Sequence, residues 1–171
     1  MQYELEEIPL FDGLKSADLE MIGQHIFSKT YKQNERIIVE GGINRHFCVI
    51  KKGKVKICCS GPNGKETIFS FLEAGQYFGE MSLLGRERCC ATVYCLQACE
   101  IYCIRDMYFR KLLTKVPGLA WRLLNQMSGR LRSSNHCIEN LNCRDSVQKV
   151  GNVIPGPCGI FRLPLQTVGH H

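Results

Sequence analysis

The stretch Phe47-Cys48-Val49-Ile50-Lys51-Lys52-Gly53-Lys54-Val55-Lys56-Ile57-Cys58 decides the fold. A short apolar run meets a glycine, and an alternating run follows. In Lys54-Val55-Lys56-Ile57 the lysines are expected to face water, with Val55 and Ile57 facing a core. Successive side chains of a strand leave on opposite faces. The same pattern extends outward on both sides. Arg36-Ile37-Ile38-Val39, Thr67-Ile68-Phe69-Ser70, Ala91-Thr92-Val93-Tyr94-Cys95 and Glu100-Ile101-Tyr102-Cys103 are short runs of alternating or β-branched character. Gly41-Gly42, Gly61-Pro62-Asn63-Gly64 and Ala74-Gly75 cut them, and Asn63-Gly64 is a strong hairpin signal. The pattern places a small antiparallel barrel or sandwich at about residues 25–104.

Helical spacing flanks this region. Pro9-Leu10-Phe11 precedes a first helix that Ser16 can cap, with Asp18 in its first turn and Leu19, Ile22 and Ile26 as an apolar stripe. His25 reads as a packing or surface residue of that helix. After Ile104, Asp106 can cap a helix carrying Phe109, Leu112, Leu113 and Val116. Pro117 suits the first turn of a long helix. Its line Leu124, Met127, Leu131, Ser134, Ile138, Leu141 advances by alternating steps of three and four, a heptad seam with one polar member. Arg130, Arg132 and Arg144 flank it. Such a seam pairs with another helix, and no other segment offers a match. Self-association as a parallel pair is the simplest solution; the alternative is one helix lying across its own barrel.

Composition narrows the function classes. The chain has 171 residues and a net charge of +6, too mild to mark a nucleic-acid binder. No apolar run approaches the roughly 20 residues that span a bilayer. The start, Met1-Gln2-Tyr3-Glu4-Leu5-Glu6-Glu7, lacks the features of a signal peptide. A cytoplasmic protein without a membrane partner is expected. The 11 cysteines are an odd number, so intramolecular disulfides cannot use them all. Cys58-Cys59, Cys89-Cys90 and the series Cys95, Cys99, Cys103 lack the C-x-x-C spacing of a zinc or redox motif. Free, mostly buried thiols are the plain reading, and no metal site is assigned. An enzyme built on barrel metal ligands would need several histidines, and only His46 lies between Thr30 and Ile104.

The densest motif is Gly75-Gln76-Tyr77-Phe78-Gly79-Glu80-Met81-Ser82-Leu83-Leu84, followed by Arg86-Glu87-Arg88-Cys89-Cys90-Ala91-Thr92-Val93. A glycine opening onto a short helical turn leaves amide N–H groups pointing one way, where an anion can settle. Glu80 would repel a bare anion but can accept hydrogen bonds from ligand hydroxyls. The plainer alternative is a glycine turn, an apolar Met81/Leu83/Leu84 anchor and a solvated acid.

From Pro9-Leu10-Phe11 through Ile37-Ile38-Val39-Glu40-Gly41, Val49-Ile50-Lys51-Lys52-Gly53-Lys54-Val55, the Gly79 motif and Ala91-Thr92-Val93 to Gln126-Met127-Ser128-Gly129-Arg130-Leu131, the sequence resembles the cyclic-nucleotide-binding domain of bacterial Crp/Fnr-type transcription regulators. The resemblance implies a mainly β fold with flanking helices: a double-stranded β-helix, or jelly roll, followed by a long dimerisation helix. It implies a cyclic-AMP site in which amides of Gly79, Glu80, Met81 and Ser82 surround the phosphate and Glu80 accepts from the ribose. Ser134 and Asn135 would meet the base from the dimer helix. The family's arginine and hydroxyl residues on the return strand fall on Cys89 and Cys90, whose thiols are weak donors without positive charge. Arg88 and Arg86 lie one and three residues ahead of Cys89. Cyclic AMP, another anionic or aromatic effector, haem or thiol-redox sensing, and a dimerisation module without a ligand all remain open. His46 and the cysteines are the available haem ligands, and no spacing selects them. The expected division is an effector domain at 1–116, a dimerisation helix and the start of a hinge at 117–150, and an irregular tail at 151–171. The family's helix-turn-helix domain does not follow in this sequence, so DNA is expected as a partner only of a longer form.

Overall fold

The computed structural model describes residues 5–61 and 64–143, with side chains described as far as His136. In chain order the elements are α1 (Ser16–Gly23), β1 (Ile26–Tyr31), β2 (Arg36–Ile38), β3 (His46–Lys52), β4 (Lys54–Ser60), β5 (Glu66–Glu73), β6 (Tyr77–Phe78), α2 (Glu80–Gly85), β7 (Thr92–Cys95), β8 (Cys99–Arg105), α3 (Asp106–Lys115) and α4 (Pro117–Cys143). The strands form two antiparallel sheets, ordered β1-β8-β3-β6 and β2-β7-β4-β5. Except in the β4–β5 hairpin, the chain changes sheet at each strand-to-strand step, which is the winding of a jelly roll. Asn63 of the expected hairpin turn lies outside the described residues.

Two cores share the first sheet. Phe47 and Val49 of β3, with Tyr102 and Ile104 of β8, face the helices. Cys48, Ile50, Ile101 and Cys103, the alternate residues, face the second sheet. Phe47 stacks on Phe109 of α3, centroids 4.3 Å apart. A strand covered on both faces needs no polar alternation, which explains the unbroken run Phe47–Ile50. The second sheet has water on its outer face, so β4 alternates. Val55 is fully buried, while Lys54 and Lys56 turn out to pair with Glu73 at 2.7 Å and Glu66 at 2.6 Å. A bulge against β5 after Ile57 shifts the phase. Ile57 is half-buried, and Cys58 rather than Cys59 is the buried thiol.

Gly53 carries the chain from one sheet to the other at φ +109. A Cβ there would lie 2.6 Å from Cys99 Sγ and 2.8 Å from the Ala98 carbonyl, so only glycine fits.

Several local expectations need correction. Lys15 occupies the N-cap of α1, and no side chain caps it. Ser16 is already helical, so it is not placed to cap. The helix ends at Gly23, and Ile26 opens β1 instead of extending the helical stripe. His25 stacks on Tyr108 at 4.2 Å. Arg105, not Asp106, is the N-cap of α3. The Asp106 carboxylate instead accepts from Arg110 Nε at 2.6 Å, one helical turn along.

The chain divides after Met127 into two compact units. In the first, Leu119 and Leu123 of α4 are buried in the helix-side core and Met127 packs half-buried against it, whereas Trp121 and Leu124 are exposed. In the second, Leu131 is 62% exposed, and Ser134 returns its hydroxyl to the Arg130 carbonyl at 3.0 Å. Asn135 is exposed. The side chains of Ile138 and Leu141, the segment from Arg144, and the 151–171 tail lie outside the described residues. No described helix is long and apolar enough to cross a membrane.

Candidate functional site

Two-residue β6 delivers the chain to Gly79, which turns it into α2 with φ +87. A Cβ at Gly79 would stand 2.8 Å from Asn44 Nδ2 and 2.9 Å from the His46 carbonyl. The turn is thus pressed against the start of β3, and a side chain would force it away. Asn44 Nδ2 donates to the His46 carbonyl at 2.8 Å and to the Gly79 carbonyl at 3.0 Å, and lies 3.3 Å from Ser82 Oγ. Its Oδ1 accepts from the His46 amide at 3.0 Å. Ser82 Oγ donates to the Gly79 carbonyl at 3.2 Å. At the other end of α2, Arg110 Nη2 donates to the Leu83 carbonyl at 2.5 Å, which ties α3 to α2. Asn44 and Arg110 therefore position the turn, and sequence reasoning missed both. A polar residue in a loop and a basic residue on a helix carry no distinguishing signal.

Within the turn, Glu80 is buried at 4% exposure, and Leu83 enters the helix-side core. Met81 and Leu84 are exposed, so of the expected apolar anchor only Leu83 is buried. Arg86 ends α2 in a left-handed conformation at φ +55. The return segment then alternates: Arg88 exposed, Cys89 buried, Cys90 exposed, Ala91 buried. Backbone bonds fix this phase. The Cys89 amide donates to the Gly42 carbonyl at 3.0 Å, and its carbonyl accepts from the Gly41 amide at 2.7 Å. Cys89 joins the inter-sheet core, and Arg88 reaches back to the Gly41 carbonyl at 2.7 Å.

Two concavities meet at the loop between β2 and β3. One, of about 320 Å³, is bounded by Ile38, Val39, Ile43, Arg45, His46 and Cys89. The other, of about 660 Å³, brings Ser82, Arg86 and Arg88 together with Asn44, Asp106 and Arg110. Gly79, Glu80, Met81 and Cys90 line neither.

Cysteines fill much of the inter-sheet core: Cys48, Cys89, Cys95, Cys99 and Cys103. Cys48 and Cys103 face each other across β3 and β8. The hydrogen bond between them holds the Cys48 thiol up and the Cys103 thiol down. Burial, then Cys99, pushes Cys95 up to about 12. Burial and the bond to Glu66 push Cys58 up to about 11. Cys58 and Cys95 therefore stay neutral thiols at pH 7 and pack as small hydrophobes. His46 is held below the usual histidine range by burial, then by Lys29, Arg105 and Arg45. Among the described residues no three His, Cys, Asp or Glu side chains converge on a metal position.

A jelly roll with a glycine-opened helical turn set against β3 defines a class of small-molecule-sensing domains. Residues 28–116 match the family described as "Cyclic nucleotide-binding domain", more than half of the chain, and the chain belongs to that family. It is 23% identical to the "Cyclic AMP receptor protein" of Thermus thermophilus, over 95% of this chain and 76% of that protein. It is 30% identical to the "cAMP-activated global transcriptional regulator CRP" of Salmonella typhimurium, over 80% of this chain and 65% of that protein. The crystal structure of the Thermus thermophilus catabolite activator protein superposes with a TM-score of 0.72 at 25% identity, covering 78% of this chain and 63% of that one. The chain thus spans about two thirds of these regulators.

Proposed function

We propose that this chain is the effector-sensing module of a Crp/Fnr-type transcription regulator. It binds a small anionic ligand at the Gly79 turn and signals through a self-paired helix. The observation that carries this reading is the Gly79 turn itself. It stands at a left-handed φ with no room for a Cβ, inside the stretch that matches the cyclic-nucleotide-binding family. Backbone amides of Gly79–Ser82 and the Glu80 carboxylate form the ligand-facing set. Arg86 and Arg88 lie beside it, and Cys89 and Cys90 close the return segment. Ser134 and Asn135 contribute from the helix.

Residues 1–116 act as the effector domain and 117–150 as the dimerisation helix and hinge, followed by a tail over 151–171. The pairing seam is Leu124, Met127, Leu131, Ser134, Ile138 and Leu141. The exposure of Leu124 at 59% and Leu131 at 62% supports it, since large apolar side chains on a helix gain by being covered.

The phosphate-binding arginine is the missing piece. A charged hydrogen bond of this kind contributes about 1.5–3 kcal/mol, so cyclic AMP binds weakly here. Cys89 borders the smaller concavity. Calorimetry of the wild type and Cys89→Arg against cyclic AMP, with cyclic GMP as control, tests the reading. A gain of about tenfold or more in the variant is expected. Glu80→Ala should cancel part of it. No heat from either protein with either nucleotide would overturn the nucleotide reading.

A further inference from the structure

We infer that the concavity beneath the loop between β2 and β3 binds a small monocarboxylate with an apolar body, its charged end held by Arg45 and His46. This rests on the proposed role as an effector module and names a ligand class for it. At about 320 Å³ the hollow lies at the lower end of small-molecule sites. Ile37, Ile38, Val39 and Ile43 give it aliphatic walls. Ile38 is buried, while Val39 and Ile43 are 48% and 72% exposed. Apolar side chains left in water around a hollow gain by covering apolar ligand surface.

The charges are one-sided. Arg45 and His46 line the hollow and no carboxylate does; Glu87 and Asp106 line the neighbouring one. The Phe27 ring of β1 packs edge-on against His46, centroids 5.5 Å apart, and the charged groups that act on His46 are cationic: Lys29 from β1, Arg105 from β8 and Arg45 beside it. None of these three takes part in an ion pair among the described residues. Of these three cations only Arg45 lines the hollow; a guanidinium beside aliphatic walls is complementary to an anion with an apolar tail. A guanidinium matches a carboxylate with two parallel hydrogen bonds. A sugar phosphate fits less well, because no carboxylate in this hollow accepts from its hydroxyls. Cys89, where the family's arginine would stand, adds apolar wall here. Charge that Cys89 does not supply to this hollow comes from the Arg45 guanidinium.

The test is calorimetry of the whole chain with octanoate, using octanamide as the neutral analogue of the same shape. Octanoate is expected to bind one per chain, with octanamide and the Arg45→Gln variant each weaker by about tenfold or more. An anion favours protonated His46, so octanoate affinity should rise from about pH 8 to about pH 6, and this rise should vanish in His46→Gln. The His46 ring resonances should shift on addition of octanoate, and unchanged melting curves would show that the variants fold. Equal binding of octanoate and octanamide, or full affinity in Arg45→Gln, would overturn the inference. So would no octanoate binding while Cys89→Arg takes up cyclic AMP, an outcome that leaves the module reading standing. Silence in both experiments would overturn both readings.

Discussion

The Asn44 carboxamide donates to the Gly79 carbonyl at 3.0 Å across thirty-five positions of the chain. The same side chain accepts from the His46 amide and so braces two segments that sequence order keeps apart. Asn44→Ala should cost about 1–3 kcal/mol, because the His46 amide loses its acceptor. Urea unfolding of the two proteins measures this. A loss under half a kilocalorie would mean that water replaces the bracket without cost.

Gly79→Ala should be damaging on its own and should remain so in the Asn44→Ala background. Removing Asn44 clears one obstructing atom, but the His46 carbonyl at 2.9 Å and the positive φ remain. A double-mutant cycle by denaturant titration reads the coupling. Full rescue by Asn44→Ala would show that the Asn44 contact alone excludes the side chain.

The neighbouring thiols should behave oppositely. Cys90, exposed, should be alkylated early in the native protein, and Cys90→Ser should be close to neutral, within about 0.5 kcal/mol. Cys89, buried, should react only after unfolding, and Cys89→Ser should cost about 1–3 kcal/mol by placing a hydroxyl in an apolar core. Peptide mapping after timed alkylation separates them. Equal labelling rates would contradict the phase set by Gly41 and Gly42.

Substitutions along α4 should divide by face. Leu123 is 2% exposed, so Leu123→Asp should prevent folding. Leu131→Asp should leave the roll folded and yield a monomer. Light scattering alongside circular dichroism distinguishes the outcomes. A monomeric wild type at micromolar concentration would refute the paired helix.

Stability should fall on mild acidification. The depressed His46 pKa means that the folded state binds its proton less readily than the unfolded chain. The stabilising effect is present above the unfolded value of about 6.5 and is lost as pH falls through the folded one. Thermal melting between about pH 7.5 and pH 5 should show this loss, and His46→Gln should reduce it. An identical slope in the variant would assign the loss to other groups.

The legibility of the sequence varied with what covered each strand. Val55 and Lys56 announced β4 because water lies on one face of their sheet. Two residues such as Tyr77-Phe78 cannot display a period, so β6 was invisible. Cys58 broke its own alternation through a bulge that propensity does not encode. At the site, the glycine turn could be read from Gly79-Glu80, since left-handed backbone leaves a mark in composition. Strand alternation required Cys89 and Cys90 to face apart. Only the backbone bonds to Gly41 and Gly42 show that Cys89 is the one inside. Asn44 and Arg110 act through geometry across long sequence separations, which a single sequence does not contain.

The first sheet is apolar on both faces, and this sets how the molecule can come apart. Detaching α3 would expose Phe47, Val49, Tyr102 and Ile104 together, so that helix cannot open as a separate unit at low cost. Among the described residues the second sheet has no such cover, and β5 is one of its edges, with Phe69 53% exposed. Amide exchange should therefore be slowest in β3 and β8, comparably slow in α3, and fastest along β5. The roll loosens from its wet side first, so its two sheets act as one compliant layer and one stiff layer.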